Sequence, residues 1–344
     1  MINLHLFIPS LFWHNTSLPE IYQELSTSNL ETILAKSTMK TEIPQKYEEW
    51  LCKTFNITKQ QNWPIAPITL NAEILNNISQ DKGYWLRADP VHLRIEQNHI
   101  LLADNQAFNI SIKESKQLTD SLNQHFASRD LEFLLMDHDR WYINLTKTPD
   151  METCELSHIT GKNINDFLPS GRDSQFWHNI FNEIQMLLYE HPVNLDRIAR
   201  KELPINSVWF WGGGVIPKSV KSSFSQIWSN DFLPCALALK SGAKHTNLPL
   251  DAKTWQQHAK SGNHLVVLDS LWRKAQYNDA YCWRKEFKQL EKNWLAPLFI
   301  ALQKGEINKF TLTSLNENSI RNFTLSRKNL WKFWRVTKPL SIYT

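Results

Sequence analysis

The stretch from Leu187 to Gly214 constrains the fold of this chain more than any other. An amphipathic run at helical spacing ends at His191-Pro192, and a polar loop follows it. An apolar strand from Ser207 to Trp211 then leads into three consecutive glycines. A helix, a charged loop, a buried strand and a glycine turn in this order are typical of α/β proteins, in which a pocket forms at the end of a strand. The stretch therefore predicts an α/β fold with a candidate pocket, and it indicates no particular reaction.

The rest of the chain alternates short apolar runs with helical patterns. The apolar runs predict strands at Leu4–Ile8, Cys235–Leu239 and His264–Leu268. A polar turn between two further runs predicts a hairpin of Leu131–Leu135 and Trp141–Leu145. Helical spacing predicts helices at Leu18–Lys36 (N-cap Thr16 or Ser17), at Leu70–Ile78, and at Trp283–Gln303 with a break or a kink at Pro297.

Composition and charge exclude several classes of protein. A net charge of +4 on 344 residues is too small to indicate nucleic acid as the main partner. The four cysteines are far apart and form no CxxC pair, which argues against a zinc site or a disulfide framework and favours a reducing cytoplasm. No apolar run approaches the roughly 20 residues of a membrane span, and the apolar start lacks the basic residues of a signal peptide. We therefore expect a cytoplasmic protein without a transmembrane segment.

The candidate pocket has an anion-binding interpretation and a structural one. The residues concerned are His191, Asn194, Arg197, Gly212, Gly213 and Gly214. An arginine can hold a carboxylate or a phosphate through two N–H bonds, and the backbone N–H groups of a glycine turn can assist it. In the structural interpretation, His191 caps a helix, Asn194 makes a turn, and Arg197 pairs with Asp196 or Glu190. The sequence leaves both interpretations open.

Two further polar groups are candidate sites. Arg87, Asp89 and His92 follow a short aromatic strand, where they could bind an anion or exchange protons, or form a salt-bridged strand end. Asp137 and His138 stand in the hairpin turn, where they could hold a metal ion. Adjacent residues in a turn are expected to point apart, so a solvated turn is the favoured alternative.

The segment SRKNLWKFWRVTKP interleaves basic and aromatic residues near the end of the sequence. Its members are Arg327, Lys328, Lys332, Arg335, Trp331, Phe333 and Trp334. Such a pattern can stack on nucleic acid bases or lie at a membrane surface. The favoured alternative is a terminal strand whose aromatic residues pack inward while its basic residues face solvent.

The string EHPVNLDR followed by PINSVWFWGGG resembles the archaeal-type cofactor-independent phosphoglycerate mutases. Those enzymes carry a His-Pro-x-Asn-x-x-Arg loop, an Ala-Asn pair, an apolar strand and a glycine-containing turn. YWLRADPVHL and ILLADNQAF resemble two further segments of the family in the same order. The resemblance adds Asn206 to the candidate binding residues, and it looks closest to a bacterial group of mutase-like or regulatory proteins.

This resemblance implies a fold and a chemistry. It implies a three-layer, alkaline-phosphatase-like α/β core at residues 1–63 and 205–344, with a smaller α/β substrate subdomain inserted at residues 64–204. It also implies catalysis by two divalent metals and a serine that is transiently phosphorylated, because metals can neutralise the transferring phosphoryl oxygens.

The sequence departs from that family at the expected metal ligands. The first strand, HLFIPSLFW, ends without a carboxylate, and Ser10 and Ser37 are not recognisable as the nucleophile. Asp269 follows the late buried strand, but Arg273 stands where the family has histidine. The next strand ends in Leu315-Asn316 in place of Asp-His, and basic and aromatic residues replace the closing His-Ser-x-Asp-Pro motif.

Three functional hypotheses follow from these patterns. The main hypothesis is a catalytically degenerate phosphoglycerate-mutase-like protein with a regulatory or binding role, no cofactor, and a small phosphorylated or carboxylated ligand or a protein as partner. The alternative is an active metal-dependent phosphomutase or phosphatase that holds Mn²⁺ or Zn²⁺ through residues such as Asp269, Asp137, His138 or His92. The third is a nucleic-acid or membrane-surface binder that acts through the C-terminal segment.

Overall fold

The structure is a computed structural model, and it describes residues 1–14, 18–74, 83–96, 99–129, 131–332 and 334–343. The chain forms two compact units. The first, here called the core unit, comprises Met1–Asn56 and Val220–Thr344. The second, here called the inserted unit, comprises Ile57–Ser219, and the insertion predicted at residues 64–204 lies within this range. Thr16 and Ser17, the predicted N-cap residues, lie outside the described residues.

The described residues form strands and helices with the following bounds. The strands are β1 (Ile2–Phe7), β2 (Thr38–Glu42), β3 (Tyr84–Glu96), β4 (His99–Ala103), β5 (Phe133–Asp137), β6 (Arg140–Leu145), β7 (Ser207–Gly214), β8 (Gln226–Trp228), β9 (Lys244–Thr246), β10 (Gly262–Val267), β11 (Ile307–Leu315) and β12 (Ile320–Ser326). The helices are α1 (Ser28–Lys36), α2 (Tyr47–Thr54), α3 (Ile65–Glu73), α4 (Ile112–Phe126), α5 (Leu156–Ile159), α6 (Ser174–Tyr189), α7 (Pro192–Ala199), α8 (Phe232–Ser241), α9 (Ala252–His258), α10 (Ser270–Gln276), α11 (Ala280–Leu290) and α12 (Ala296–Lys304). Short 3₁₀ segments cover Pro19–Tyr22, Ala127–Arg129, Ile164–Asp166, Arg327–Trp331 and Leu340–Ile342.

The core unit is built on a seven-stranded sheet with the order β2-β12-β11-β1-β10-β8-β9. Strand β1 lies at its centre and pairs in parallel with β10 and β11, while β12 and β2 extend the sheet in antiparallel pairing. The strands predicted at Leu4–Ile8 and His264–Leu268 are confirmed as β1 and β10. Central strands of a parallel sheet are buried on both faces, which explains why these two read as continuous apolar runs.

Helices cover both faces of this sheet. On one face, Leu4 and Leu6 of β1 belong to a buried cluster that includes residues of α1 and α9 to α12. On the other face, the ring of Phe7 stacks on Trp50 of α2 with a centroid distance of 3.8 Å. Successive side chains of a strand point to opposite faces, so β1 contributes to both layers of packing. The core unit therefore has three layers.

The inserted unit contains an antiparallel five-stranded sheet. Its long strand β3 pairs with β4, β6 and β7, and β6 pairs with β5. The hairpin predicted around the Asp137 turn is confirmed as β5 and β6. Helix α3 packs on β7 and β3, and α6 packs on β7 through Trp177 and Phe210, whose ring centroids are 5.0 Å apart.

Several predicted elements differ from the structure in type or in bounds. The strand predicted at Cys235–Leu239 is wrong, because these residues lie in α8. An apolar run of five residues does not distinguish a strand from a helix, and alanine and leucine favour the helix. The helix predicted at Leu70–Ile78 begins earlier, at Ile65, because Pro67 is accommodated in its first turn. Residues 75–82 lie outside the described residues.

The helix predicted at Trp283–Gln303 is continuous past Pro297. A π-helical segment, Glu291–Leu295, joins α11 to α12, and Pro297 falls in the first turn of α12. The buried Glu291 side chain accepts a hydrogen bond from the backbone N–H of Asn29 in α1 at 3.0 Å. Among the helices that the structure describes, none has the length and apolar character needed to cross a membrane.

Close packing around β7 generates a prediction about its glycines. A Cβ atom on Gly213 would lie 2.8 Å from two ring carbons of the buried Tyr84, closer than real side chains approach. We expect Gly213→Ala to lower the free energy of unfolding by about 1–3 kcal/mol, the usual effect of overpacking. Equilibrium urea unfolding measures this. Tyr84→Phe removes the hydroxyl nearest to the new atom, so the double variant should lose less than the sum of the two single losses.

Candidate functional site

The polar loop predicted after His191 is a helix. Helix α7 begins at Pro192, where a proline fits the first helical position, and His191 is its N-cap. The Nδ1 atom of His191 accepts a hydrogen bond from the N–H of Val193 at 3.2 Å, so Nε2 carries the ring proton and contacts Ser121 Oγ at 3.0 Å. Burial lowers the pKa of His191, which favours this neutral form. His191 therefore has the capping geometry of the structural interpretation.

Asn194 joins the start of α7 to the segment before β7. Its amide group donates to the carbonyls of Leu188 at 2.7 Å and Ile205 at 2.8 Å, and its oxygen accepts from the N–H of Ile205 at 2.7 Å. The side chain is 1% exposed. These hydrogen bonds satisfy backbone groups of Leu188 and Ile205 that would otherwise be buried without a partner.

Arg197 is the most deeply buried charged residue of the candidate pocket. Its guanidinium donates to the carbonyls of Leu203 at 2.8 Å and Asn109 at 2.9 Å, and to Glu114 at 3.2 Å. Its side chain is 1% exposed. The predicted partners Asp196 and Glu190 are wrong, since Glu114 and Glu202 take that place. The fork of Arg197 is thus directed at protein acceptors.

A cavity of about 570 Å³ lies beside this helix. Its lining includes Lys113, Glu114, Asp196, Arg200 and Glu202, so both signs of charge face it. Glu114 forms a capping box with Ser111 at the start of α4 and accepts a hydrogen bond from Arg200 at 2.7 Å. Burial opposes its ionisation, but the hydrogen bonds from Ser111 and Arg200 lower the pKa of Glu114 to about 2. The sequence patterns did not indicate Glu114 or Arg200, although the S-x-x-E motif marks Glu114 at a helix start.

The glycine run is part of strand β7 and not a turn. Gly212 has a left-handed φ of 66°, and Gly214 packs so closely on Pro64 that a Cβ would lie 2.7 Å from it. All three glycines are buried. Asn206 lies just before β7, where its side chain exchanges two hydrogen bonds with the backbone of Leu93, at 2.7 and 2.8 Å. The prediction of a glycine turn after the strand is therefore wrong, because the strand itself continues through Gly214.

Arg87, Asp89 and His92 lie inside β3 and not at its end. Arg87 and Asp89 form a buried, bidentate ion pair with N–O distances of 2.7–2.9 Å. The indole N–H of Trp211 also donates to Asp89 at 2.7 Å. His92 is separate from this pair and donates through Nδ1 to the carbonyl of Pro204 at 2.8 Å. Burial lowers the pKa of His92. The predicted position at a strand end is wrong, because β3 continues to Glu96.

The hairpin turn brings its polar side chains together. Potential ligand atoms of Asp137, His138 and Asp139 lie within 4.8 Å of one another, so the expectation that they point apart is wrong. Arg140 contacts Asp137 at 2.5 Å and Asp139 at 3.4 Å. It also pairs with Glu73 at 2.8 Å, which places the turn in an arginine-centred network.

In the core unit, polar residues gather where parallel strands end. Asp231 follows β8 and Asp269 follows β10. The Nε and Nη2 atoms of Arg273 donate to one oxygen of Asp269, at 2.7 and 2.6 Å. The hydroxyl of Tyr47 donates to Asp231 at 2.6 Å. Burial and the nearby Asp269 raise the pKa of Asp231. The sequence patterns did not indicate Asp231.

The fold class predicted from the sequence is confirmed. The core unit is a three-layer α/β structure of the alkaline-phosphatase-like type, and the inserted unit is a smaller α/β subdomain. The fold is similar to the solved structure of the PH0037 protein from Pyrococcus horikoshii, with a TM-score of 0.57. The matched region covers 94% of this chain and 87% of the PH0037 chain. The two sequences are 10% identical, so this likeness concerns the fold alone.

The inserted unit has a narrower similarity. Residues 78–194, about a third of the chain, match the family of 2,3-bisphosphoglycerate-independent phosphoglycerate mutases. The mutase of that name from Methanosarcina mazei is 34% identical over 141 residues, which are 40% of this chain and 36% of the relative. The one from Methanothrix thermoacetophila is 42% identical over 65 residues, which are 19% of this chain and 17% of the relative. The matches thus span little more than a third of these relatives at most. The predicted resemblance is confirmed: residues 78–194 are similar to these phosphoglycerate mutases.

The ion pair in the core unit generates a prediction for stability. Arg273→Ala leaves Asp269 without its cation, next to Asp231. We expect a loss of about 1–3 kcal/mol in the free energy of unfolding, the usual penalty for a charged group that loses its partner. Urea unfolding measures it. Lys53→Ala removes a pair at the same i,i+4 spacing in which the carboxylate, Glu49, is 25% exposed against 14% for Asp269, and it should lose only about 0.3–0.5 kcal/mol. Equal losses would contradict the proposed role of the Arg273–Asp269 pair.

The pKa of Glu114 generates a prediction for the pH dependence of stability. Its folded-state pKa of about 2 lies below the ordinary value of 4.5, so the ionised form stabilises the fold. This contribution is complete above pH 4.5 and is lost as the pH falls through 2. We expect wild type to be more stable than Glu114→Gln at neutral pH, with a gap that closes as acid is added. Glu132→Gln, at an exposed position, is the control. A gap that widens in acid would refute this assignment.

Proposed function

We propose that this chain is a phosphoglycerate-mutase-like protein that lacks two-metal phosphoryl-transfer chemistry and has a binding or regulatory role. One observation carries the proposal. Arg273 donates two hydrogen bonds to Asp269 at the end of β10, where the resemblance implies a metal ligand. A guanidinium therefore neutralises this carboxylate.

The described residues at these strand ends do not fit a two-metal centre. A divalent cation of this kind needs several converging carboxylate or imidazole ligands. Here Asp269 is paired with Arg273, and Asp231 accepts a hydrogen bond from the hydroxyl of Tyr47. A metal ion about 4 Å from the guanidinium would also be repelled, by on the order of 4 kcal/mol for each unit of its charge. We derive no catalytic step through metals at this position.

The binding role is proposed for the cavity beside α7. Lys113 and Arg200 line it and could contact a small phosphorylated or carboxylated acid. Arg197 would act indirectly, because its buried guanidinium holds Glu114 and two backbone carbonyls. His191 and Asn194 would fix α7 in the same indirect way. The match to the mutase family lies in this unit, which supports a retained binding function.

A cytoplasmic location belongs to the same proposal. All four cysteines lie among the described residues, and none of them forms a disulfide. This agrees with a reducing compartment. The bacterial source expected from the resemblance stays a prediction.

The proposal predicts the outcome of metal and turnover measurements. We expect the purified full chain to bind neither Mn²⁺ nor Zn²⁺ at two sites, and not to convert 3-phosphoglycerate into 2-phosphoglycerate. Elemental analysis, titration calorimetry and a coupled mutase assay measure these properties. The Methanosarcina mazei relative serves as the positive control. Tight binding of two metal ions together with turnover would overturn the proposal and establish the metal-dependent enzyme instead.

A further inference from the structure

The segment Ser326–Tyr343 exposes large apolar side chains. Trp331 is 81% exposed, Trp334 65% and Val336 76%. The predicted terminal strand with inward-packed aromatic residues is wrong, because the segment forms 3₁₀ turns and irregular backbone. Phe333 lies outside the described residues. Exposed tryptophan and aliphatic side chains grouped in one segment indicate a contact surface rather than ordinary surface scatter.

Positive charge is concentrated in the same segment. It contains five basic residues and no aspartate or glutamate: Arg327, Lys328, Lys332, Arg335 and Lys338. The whole chain has a net charge of only +4, so the remainder of the chain is slightly negative. The modest net charge therefore conceals one strongly basic surface.

Contacts with α1 hold this segment in place. The ammonium group of Lys36 donates to the carbonyl of Leu330 at 3.1 Å. The guanidinium of Arg335 donates to the carbonyl of Ser37, just after the end of α1. These bonds satisfy carbonyl groups in both segments and hold the backbone at Leu330 and Arg335, which flank the two exposed tryptophans.

A cavity of about 680 Å³ lies beside the exposed residues. Its lining includes Met39 and Thr41 of the edge strand β2, Arg321 of β12, and Trp334, Arg335 and Lys338. Among the described lining residues there are three cations and no carboxylate. The cavity thus combines apolar walls with positive charge. A ligand that matches it has an anionic head and an apolar body.

We propose that this basic aromatic surface, Ser326–Tyr343 with β2, binds the anionic phospholipid surface of a membrane. Tryptophan rings favour the boundary between headgroups and acyl chains, where Trp331 and Trp334 would lie with Val336. Lys328 and Lys338 would contact lipid phosphates, to which basic residues near a membrane are attracted. The protein would associate peripherally, without spanning the bilayer. This proposal does not depend on the loss of mutase chemistry.

The exposed aliphatic residues favour a lipid surface over single-stranded nucleic acid. Bases stack on aromatic rings, and cations hold the phosphate backbone. Val336, Ile342 and Met39 offer no ring for stacking, yet all three are more than half exposed. Insertion into the headgroup boundary would remove this apolar surface from water.

Vesicle sedimentation with the full chain tests the proposal. We expect binding to phosphatidylcholine vesicles that contain phosphatidylglycerol, little binding to phosphatidylcholine alone, and weaker binding as salt is raised. The double variants Trp331→Ala/Trp334→Ala and Lys328→Glu/Lys338→Glu should each bind about tenfold more weakly or worse. Tyr281→Ala, at a position 80% exposed, and Lys285→Glu/Lys288→Glu on α11 are matched controls that should bind like wild type.

Several outcomes would overturn the proposal. One is equal binding to vesicles with and without phosphatidylglycerol. Another is a loss of vesicle affinity in the α11 control that equals the loss in the Lys328→Glu/Lys338→Glu variant. The third is binding of poly(U) RNA without binding of vesicles. The last outcome would assign the surface to nucleic acid. Circular dichroism confirms that each variant is folded. The substituted side chains are exposed, so the variants should remain folded. The lysine variant tests the electrostatic contact, and the tryptophan variant tests insertion into the headgroup boundary.

Discussion

Arginine side chains neutralise carboxylates that are at most 17% exposed in both units of this protein. Arg87 pairs with Asp89 inside β3, and Arg197 reaches Glu114 from α7. Arg273 does the same for Asp269 at the end of β10. A carboxylate that is shielded from water and loses its partner destabilises the fold, and the effect is largest for a buried pair such as Arg87–Asp89. The candidate functional residues are therefore also the residues that hold their elements in place.

The candidate site shows where inference from sequence is limited. An arginine that binds a ligand and one that pairs internally have the same sequence signature, since both use the same N–H groups. Glu114 is 83 residues from Arg197, and the second acceptor, the carbonyl of Asn109, is 88 residues away. A local sequence pattern cannot indicate partners that are so far apart along the chain. The sequence marked Arg197 as a candidate binding residue, and only the fold shows that Glu114 and Asn109 are its partners.

The fold was predictable where one physical effect dominates. Burial on both faces made β1 and β10 recognisable, and the alternating hairpin of β5 and β6 was equally clear. Prediction failed where effects compete. The apolar run of α8 suits a helix or a strand, and Pro192 begins α7 although prolines usually interrupt helices. The sequence also favoured inward packing of Trp331 and Trp334 over exposure, because aromatic residues are usually buried when a core can accept them.

The π-helical segment between α11 and α12 has a consequence for comparisons with relatives. It contains one residue more per turn than an α-helix, and Glu291 stands at its start with its carboxylate at the N-terminus of α1. A relative with one residue fewer would rotate the following residues by about 100° around the helix axis. Its α12 would then need a different set of apolar positions to face the sheet. A single-residue gap at this place in an alignment would mark a change in helix phase and not a neutral deletion.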